Sequence, residues 1–145
     1  KRLSAIPNIV GVKEASTDIT KLSRIKSQCP ESFSVWSGND DHTVAAIALG
    51  AQGVISVASN IIPEEMIAMA NAALKGERNS AAMQQRYQGL IDLLFCDVNP
   101  IPVKEAMNLM GLKAGHYRMP LYPMADANRT KLIQIMKAAG LPVEE

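Results

Sequence analysis

A lysine follows directly on a run of residues that is typical of a buried strand. The segment from Asn8 to Val12 is mostly apolar, and the next residue is Lys13. This run predicts a parallel strand covered on both faces, and reacting groups of α/β proteins lie where such strands end. Desolvation there favours the neutral amine, which attacks a ketone and forms a Schiff base. Lys13 is therefore a candidate nucleophile; the alternative is a lysine whose ammonium simply reaches solvent.

Glu14 is the neighbour of that lysine and a possible partner for it. Successive side chains of an extended chain point to opposite faces, so Glu14 and Lys13 are not expected to meet. We predict a polar contact within the following loop for Glu14.

A second polar cluster runs from Gly38 to His42 and combines an asparagine, two aspartates and a histidine. Carboxylates and imidazoles bind metals, but adjacent residues at a helix start fan outward rather than converge. We therefore predict no metal site here and assign Asn39, Asp40 and Asp41 to helix capping. The alternative is that Gly38 and its neighbours present backbone N–H donors to an anionic substrate.

Three strand–helix units must position these residues. Short apolar runs predict the strands, whereas cap residues and helical spacing predict the helices. The predicted strands cover 8–12, 33–36 and 54–57, and the predicted helices cover 17–28, the segment between the 39–41 cap and Gly50, and 63–75. Short connections between alternating strands and helices indicate a parallel sheet covered by helices. A doubly wound sheet and a barrel both fit this pattern.

The rest of the chain changes character, because three helical segments follow and no further strand is predicted. The first carries an apolar stripe between Met83 and Leu94, the second covers 102–110, and the last follows a loop-rich segment at 113–125. We therefore divide the chain into an α/β part at 1–76 and a helical extension at 77–145.

Composition excludes several classes of function. The net charge of +1 and the 4% aromatic content provide neither a basic field nor stacking platforms for nucleic acid. The sequence contains no run of about 18 apolar residues, so no membrane span is predicted. The first residues lack the apolar stretch of a signal peptide. Two distant cysteines without a CxxC motif fit a reducing cytoplasm.

Four motifs, taken together, resemble the C-terminal half of the dihydrodipicolinate synthase family, within the pyruvate-dependent class I aldolases. They are Val12-Lys13-Glu14-Ala15, Ser37-Gly38-Asn39-Asp40, Gly53-Val54-Ile55-Ser56-Val57 and Asn99-Pro100-Ile101-Pro102-Val103-Lys104. The resemblance covers essentially the whole chain. It implies the sixth, seventh and eighth βα units of a (β/α)8 TIM barrel, followed by a helical C-terminal extension.

The resemblance also implies roles for individual residues. Lys13 matches the lysine that forms the imine with pyruvate, Gly38 matches a glycine near the substrate entrance, and Ile55 matches a residue that contacts pyruvate. The implied reaction condenses pyruvate with L-aspartate 4-semialdehyde in lysine biosynthesis, without a metal or organic cofactor. The family's proton-relay tyrosines lie in the preceding half, so we expect this chain to need that N-terminal half and to form a homotetramer when complete.

Two other interpretations remain open. A sister aldolase, acting on N-acetylneuraminate or a keto-deoxy sugar, would keep Lys13 and use another acceptor. A non-catalytic fragment that serves only in helical packing or oligomerisation would not depend on Lys13 at all.

Overall fold

The computed structural model describes residues 1–144 and contains two strands and six α-helices. The strands are β1 (Gly11–Glu14) and β2 (Ser34–Ser37). The helices are α1 (Thr20–Gln28), α2 (Thr43–Ala48), α3 (Pro63–Leu74), α4 (Ser80–Leu94), α5 (Ile101–Leu109) and α6 (Asp126–Ala138). Short 3-10 helices cover Leu3–Ala5, Asp40–His42 and Ala58–Asn60.

The two strands are parallel, and their register pairs Lys13 with Trp36. Strand β1 begins and ends later than the predicted 8–12, so Lys13 lies inside the strand rather than after it. Strand β2 continues the parallel arrangement into the loop that follows, because the Gly38 N–H donates to the Glu14 carbonyl over 2.7 Å. The carboxyl ends of both strands thus lie side by side.

The third predicted strand, at 54–57, is wrong as a regular strand. Val54 makes an isolated parallel bridge with Ser37, and Ile55 donates its N–H to the Ser37 carbonyl over 2.8 Å. Gln52, two residues before Val54, donates its backbone N–H to the Val35 carbonyl over 2.9 Å. Residues 52–55, the third segment, therefore run beside β2, but the chain turns into a 3-10 helix at Ala58 before a longer ladder forms.

Two apolar cores hold the elements together. The smaller one joins the sheet to α1 and α2 and contains Leu22, Phe33, Val35, Ala46 and Ala51. The larger one is built mainly from α3, α4, α5 and α6, where α4 and α5 each pack against α6.

Local sequence explains where helices α1 and α3 start. Pro63 occupies the first position of α3, and Glu64 and Glu65 lie in its first turn, where the helix dipole favours negative charge. Asp18 accepts the N–H of Thr20 over 3.0 Å and so holds the start of α1. The predicted division at residue 76 falls just after α3 and stays a prediction.

The predicted helical extension is present as α4, α5 and α6. Tyr87, Leu90, Ile91 and Leu94 form the buried stripe of α4, as their spacing predicts. Within residues 1–144, no helix combines the length and the apolar character that a bilayer span needs.

Candidate functional site

One face of the sheet carries the candidate lysine and is not covered by helices. Side chains alternate along strands, so the paired residues Lys13 and Trp36 share a face, and the bridge of Ser37 with Val54 places Ile55 on it too. Lys13 is exposed, and Ile55 is 46% exposed. The other face is packed, since Val35 is fully buried. The open face is called the lysine face below.

The side chain of Lys13 extends toward the loop after β2. A Cβ atom built on Gly38 would lie only 2.7 Å from Lys13 Cε and would collide with Ala15 Cβ. Any side chain at position 38 would therefore displace the lysine or Ala15. Because Gly38 has no side chain, the Lys13 side chain can extend past it toward the carboxyl ends of the strands.

The described chain does not supply the desolvation that we expected for Lys13. The residue is exposed because its side chain projects from the lysine face, which the other residues of 1–144 leave uncovered.

Glu14 makes the polar loop contact that its position predicts. Its Oε1 accepts the N–H of Ser16 over 2.8 Å. Hydrogen bonds from the Ser16 side chain and backbone lower the pKa of Glu14. The carboxylate thus fixes the turn after β1 and is not paired with Lys13.

The predicted capping role of residues 39–41 is wrong, because neither the 3-10 helix at 40–42 nor α2 has a side-chain cap. Asn39 instead donates its Nδ2 to the Ser16 carbonyl over 2.8 Å and so ties together the loops after β1 and β2. Its own N–H donates to Ser37 Oγ over 3.1 Å. The Gly38 N–H donates to the Glu14 carbonyl, so Gly38 itself does not offer that N–H to an anion, and the alternative stays a prediction for its neighbours.

Asp40 is fully buried and connects β2 with the segment after residue 55. Its Oδ2 accepts the backbone N–H groups of Val57 over 2.9 Å and Ala58 over 3.2 Å. Burial raises the pKa of Asp40, and the Ser56 side chain and these two N–H groups offset part of that effect. Within residues 1–144, the Oδ1 atom of Asp40 accepts no hydrogen bond.

Trp36 is a member of the lysine face that sequence reasoning missed as a functional residue. A Cβ atom on Gly11 would lie 2.5 Å from its Cζ3, and one on Gly53 would lie 3.7 Å from its Cδ1. The indole therefore extends across all three segments, over two positions that lack side chains. The sequence did offer a signal, because the single tryptophan of the chain lies within a predicted strand. Once the register of the parallel strands pairs Trp36 with Lys13, the two side chains lie on the same face.

No group of three metal-ligating side chains converges in the part of the chain that the structure describes. His42 contacts Asp41, with 3.5 Å between Nε2 and Oδ2. Lys13 brings an amine to the lysine face, and an amine in its neutral form can attack a carbonyl carbon.

Parallel βα units with a lysine near the carboxyl ends of the strands fit the class of partial α/β barrels. The model of the dihydrodipicolinate synthetase family matches residues 1–139. The chain belongs to this family.

Relatives and solved structures agree with this assignment. The 4-hydroxy-tetrahydrodipicolinate synthase of Alkaliphilus oremlandii is 45% identical over 96% of this chain and 48% of its own length. That of Methanosarcina acetivorans is 46% identical over 97% of this chain and 49% of its own length. The crystal structure of dihydrodipicolinate synthase from Aquifex aeolicus superposes with a TM-score of 0.96 at 38% identity, covering 99% of this chain and 50% of that one.

The chain spans about half the length of the relatives it matches. The prediction of a partial TIM barrel with a helical extension is thereby confirmed, together with the family. The roles predicted for Lys13, Gly38 and Ile55 stay predictions.

Proposed function

We propose that this chain is the Schiff-base half of a 4-hydroxy-tetrahydrodipicolinate synthase, which condenses pyruvate with L-aspartate 4-semialdehyde in lysine biosynthesis. The observation that carries the proposal is the position of Lys13, on an open sheet face with its Cε against Gly38. The relatives from Alkaliphilus oremlandii and Methanosarcina acetivorans are 4-hydroxy-tetrahydrodipicolinate synthases, which supports the choice of reaction.

The chemistry begins with attack of the neutral Lys13 amine on the ketone carbon of pyruvate. Loss of water gives the imine, and removal of a methyl proton gives the enamine, whose carbon attacks the aldehyde of the second substrate. Hydrolysis of the imine then frees the lysine. Each step needs a proton donor or acceptor. We assign these proton transfers to the complementary half of the barrel, which is the part of the relatives' length that this chain does not span.

Gly38 and Ile55 would shape the space around the imine. Gly38 leaves room for the lysine stem because a Cβ atom there would collide with Cε. Ile55 presents its side chain to the same face from the third segment and would contact the bound pyruvate. No metal or organic cofactor has a role in this scheme.

The activity needs the complementary half, meaning the part of the relatives' length that this chain does not span. Three parallel segments of eight leave the sheet open at both edges, and the lysine face is exposed. The assembled protein is defined here as this chain together with that half. We propose that the assembled protein forms a homotetramer. We also propose that it is located in the cytoplasm, and the two free cysteines fit that reducing compartment.

Borohydride trapping tests this proposal. The assembled protein is incubated with pyruvate and sodium borohydride, and intact mass and peptide mapping locate the reduced adduct. We expect the adduct on Lys13, no adduct and no turnover in Lys13→Ala, and unchanged labelling in the control Lys21→Ala on α1, because only Lys13 lies on the lysine face.

Absence of label at Lys13 in the assembled protein would disprove the aldolase chemistry and favour a non-catalytic packing role. Labelling by pyruvate combined with turnover of a sugar aldehyde, and not of aspartate semialdehyde, would instead identify a sister aldolase. A screen of acceptor aldehydes after imine formation makes that distinction.

A further inference from the structure

Trp36 occupies the space on the amino-terminal side of Lys13. Both residues share the lysine face as register partners. The indole reaches toward Gly11, which precedes Lys13 by two residues on the same face of β1, and its Cζ3 would be 2.5 Å from a Cβ atom there. The side chain of Lys13 runs the other way, since its Cε lies against Gly38 at the carboxyl end of β2. Indole and amine therefore point to opposite ends of the sheet.

The two glycines under the ring make this arrangement possible. Gly11 and Gly53 both lie on the lysine face, one on each side of Trp36, and neither carries a side chain that would lift the indole. Trp36 is partly buried even in the chain by itself. Because the flat indole lies across all three segments, the flexible Lys13 side chain cannot fold toward the amino-terminal ends of the strands.

We propose that Trp36 is a positioning residue for Lys13, whose indole forms the floor of the amine site and keeps the amine at the carboxyl ends of the strands. This inference rests on the proposed Schiff-base function. A lysine that can fold down toward Gly11 spends less time in the reactive geometry, and misplacement of a reacting group by about 1 Å can cost roughly 100-fold in rate. The floor therefore affects the rate of imine formation more than the affinity for pyruvate.

The test compares trapping kinetics in the assembled protein. For Trp36→Leu we expect the initial rate of borohydride trapping at saturating pyruvate to fall roughly 10- to 100-fold, with little change in the half-saturating pyruvate concentration. Trp36→Phe, which keeps a flat ring, should restore most of the rate. Val12→Ala is the matched control, because Val12 adjoins Lys13 on β1 but packs against the smaller core on the opposite face.

Two results would overturn the floor while leaving the Schiff base intact: a normal trapping rate in Trp36→Leu, or an equal loss in Val12→Ala. If Trp36→Leu fails to assemble, Trp36→Met gives the same comparison, since it keeps a long apolar side chain without the ring. A wild-type protein that shows no label at Lys13 would remove the proposed function and this inference together.

Discussion

Single residues of this site divide into those whose roles follow from local pattern and those whose roles depend on distant contacts. Strand alternation, which depends only on neighbouring positions, correctly predicted that the side chains of Lys13 and Glu14 do not meet. Asp40 was predicted to cap a helix because Asn39, Asp40 and Asp41 are of residue types that are preferred at helix starts. Its actual partners are the N–H groups of Val57 and Ala58, 17 and 18 positions later, and no local pattern indicates them.

The buried carboxylate of Asp40 predicts an unusual pH dependence of stability. Burial raises its pKa in the folded state above the ordinary 3.8, so the folded state binds this proton more tightly than the unfolded state. The contribution to stability is therefore present below about pH 4 and is lost as pH rises through the folded-state pKa. Asp40→Asn removes this titration, and its amide oxygen still accepts the N–H groups of Val57 and Ala58.

We expect Asp40→Asn to gain in free energy of unfolding relative to wild type as pH rises from 4 toward 7. Denaturant titrations of the assembled protein at fixed concentration measure that difference. Asp41→Asn is the control, because the Asp41 side chain is 45% exposed and adjacent in sequence. A difference that shrinks with rising pH would contradict the assigned cause of the shift.

At the scale of elements, periodicity predicted the helices better than the third strand. Helices satisfy their own backbone groups, so a stripe such as that of α4 is sufficient to predict them. A strand needs partners on its edges, and the third segment has only β2 beside it within residues 1–144. The apolar run at 54–57 predicted a buried strand, but Ile55 is 46% exposed and Val54 and Val57 are only partly buried. The run also could not indicate how many residues would form a regular ladder.

Helix α5 and the loop at 112–125 are held together by a polar network that gives an element-scale prediction. Tyr117 donates its hydroxyl to Glu105 Oε2 over 3.0 Å, and Arg129 on α6 donates to Glu105 Oε1 over 2.7 Å. Lys104, from the Asn-Pro-Ile-Pro-Val-Lys motif, donates to the His116 carbonyl over 2.6 Å. Lys104 of this motif therefore helps to hold the loop against α5.

Tyr117→Phe should lower the free energy of unfolding of the assembled protein by about 1–2 kcal/mol at pH 7, because it deletes a hydrogen bond to a carboxylate. Burial, together with the hydrogen bond and charge of Glu105, raises the pKa of Tyr117 from an ordinary 10.0 to about 12. Wild type should therefore lose additional stability between pH 10 and about 12, where the unfolded chain ionises first, and Tyr117→Phe should not.

Tyr122→Phe is the matched control for this measurement, since Tyr122 lies in the same loop and is 69% exposed. Equal losses in the two variants would show that the Tyr117 hydroxyl does not hold the loop to α5. The ring of Tyr117 lies 5.6 Å from Lys104 Nζ, and phenylalanine retains that contact.

On the scale of the whole molecule, three βα units before a purely helical remainder fit both a doubly wound sheet and a barrel, and the partial barrel was predicted from the resemblance to the dihydrodipicolinate synthase family. Nothing in those units shows where the missing partners lie; that follows from the free sheet edges and from the half-length coverage of the relatives. The direction of backbone groups on those edges is defined by the hydrogen bonds to β2. Val10 and Glu14 direct their carbonyls to β2, so the N–H groups of Gly11 and Lys13 point to the free side.

Assembly with the complementary half should therefore protect specific amides from hydrogen exchange. In this chain by itself, we expect the N–H groups of Gly11 and Lys13 to exchange quickly, whereas that of Val12, which faces β2, exchanges more slowly. Addition of the complementary half should slow exchange at Gly11 and Lys13 because a flanking strand pairs with β1. Exchange measured residue by residue on labelled chain tests this, with Val12 as internal reference. Fast exchange at Gly11 and Lys13 in an assembly that still forms the Lys13 imine would mean that the site is completed without pairing at this edge.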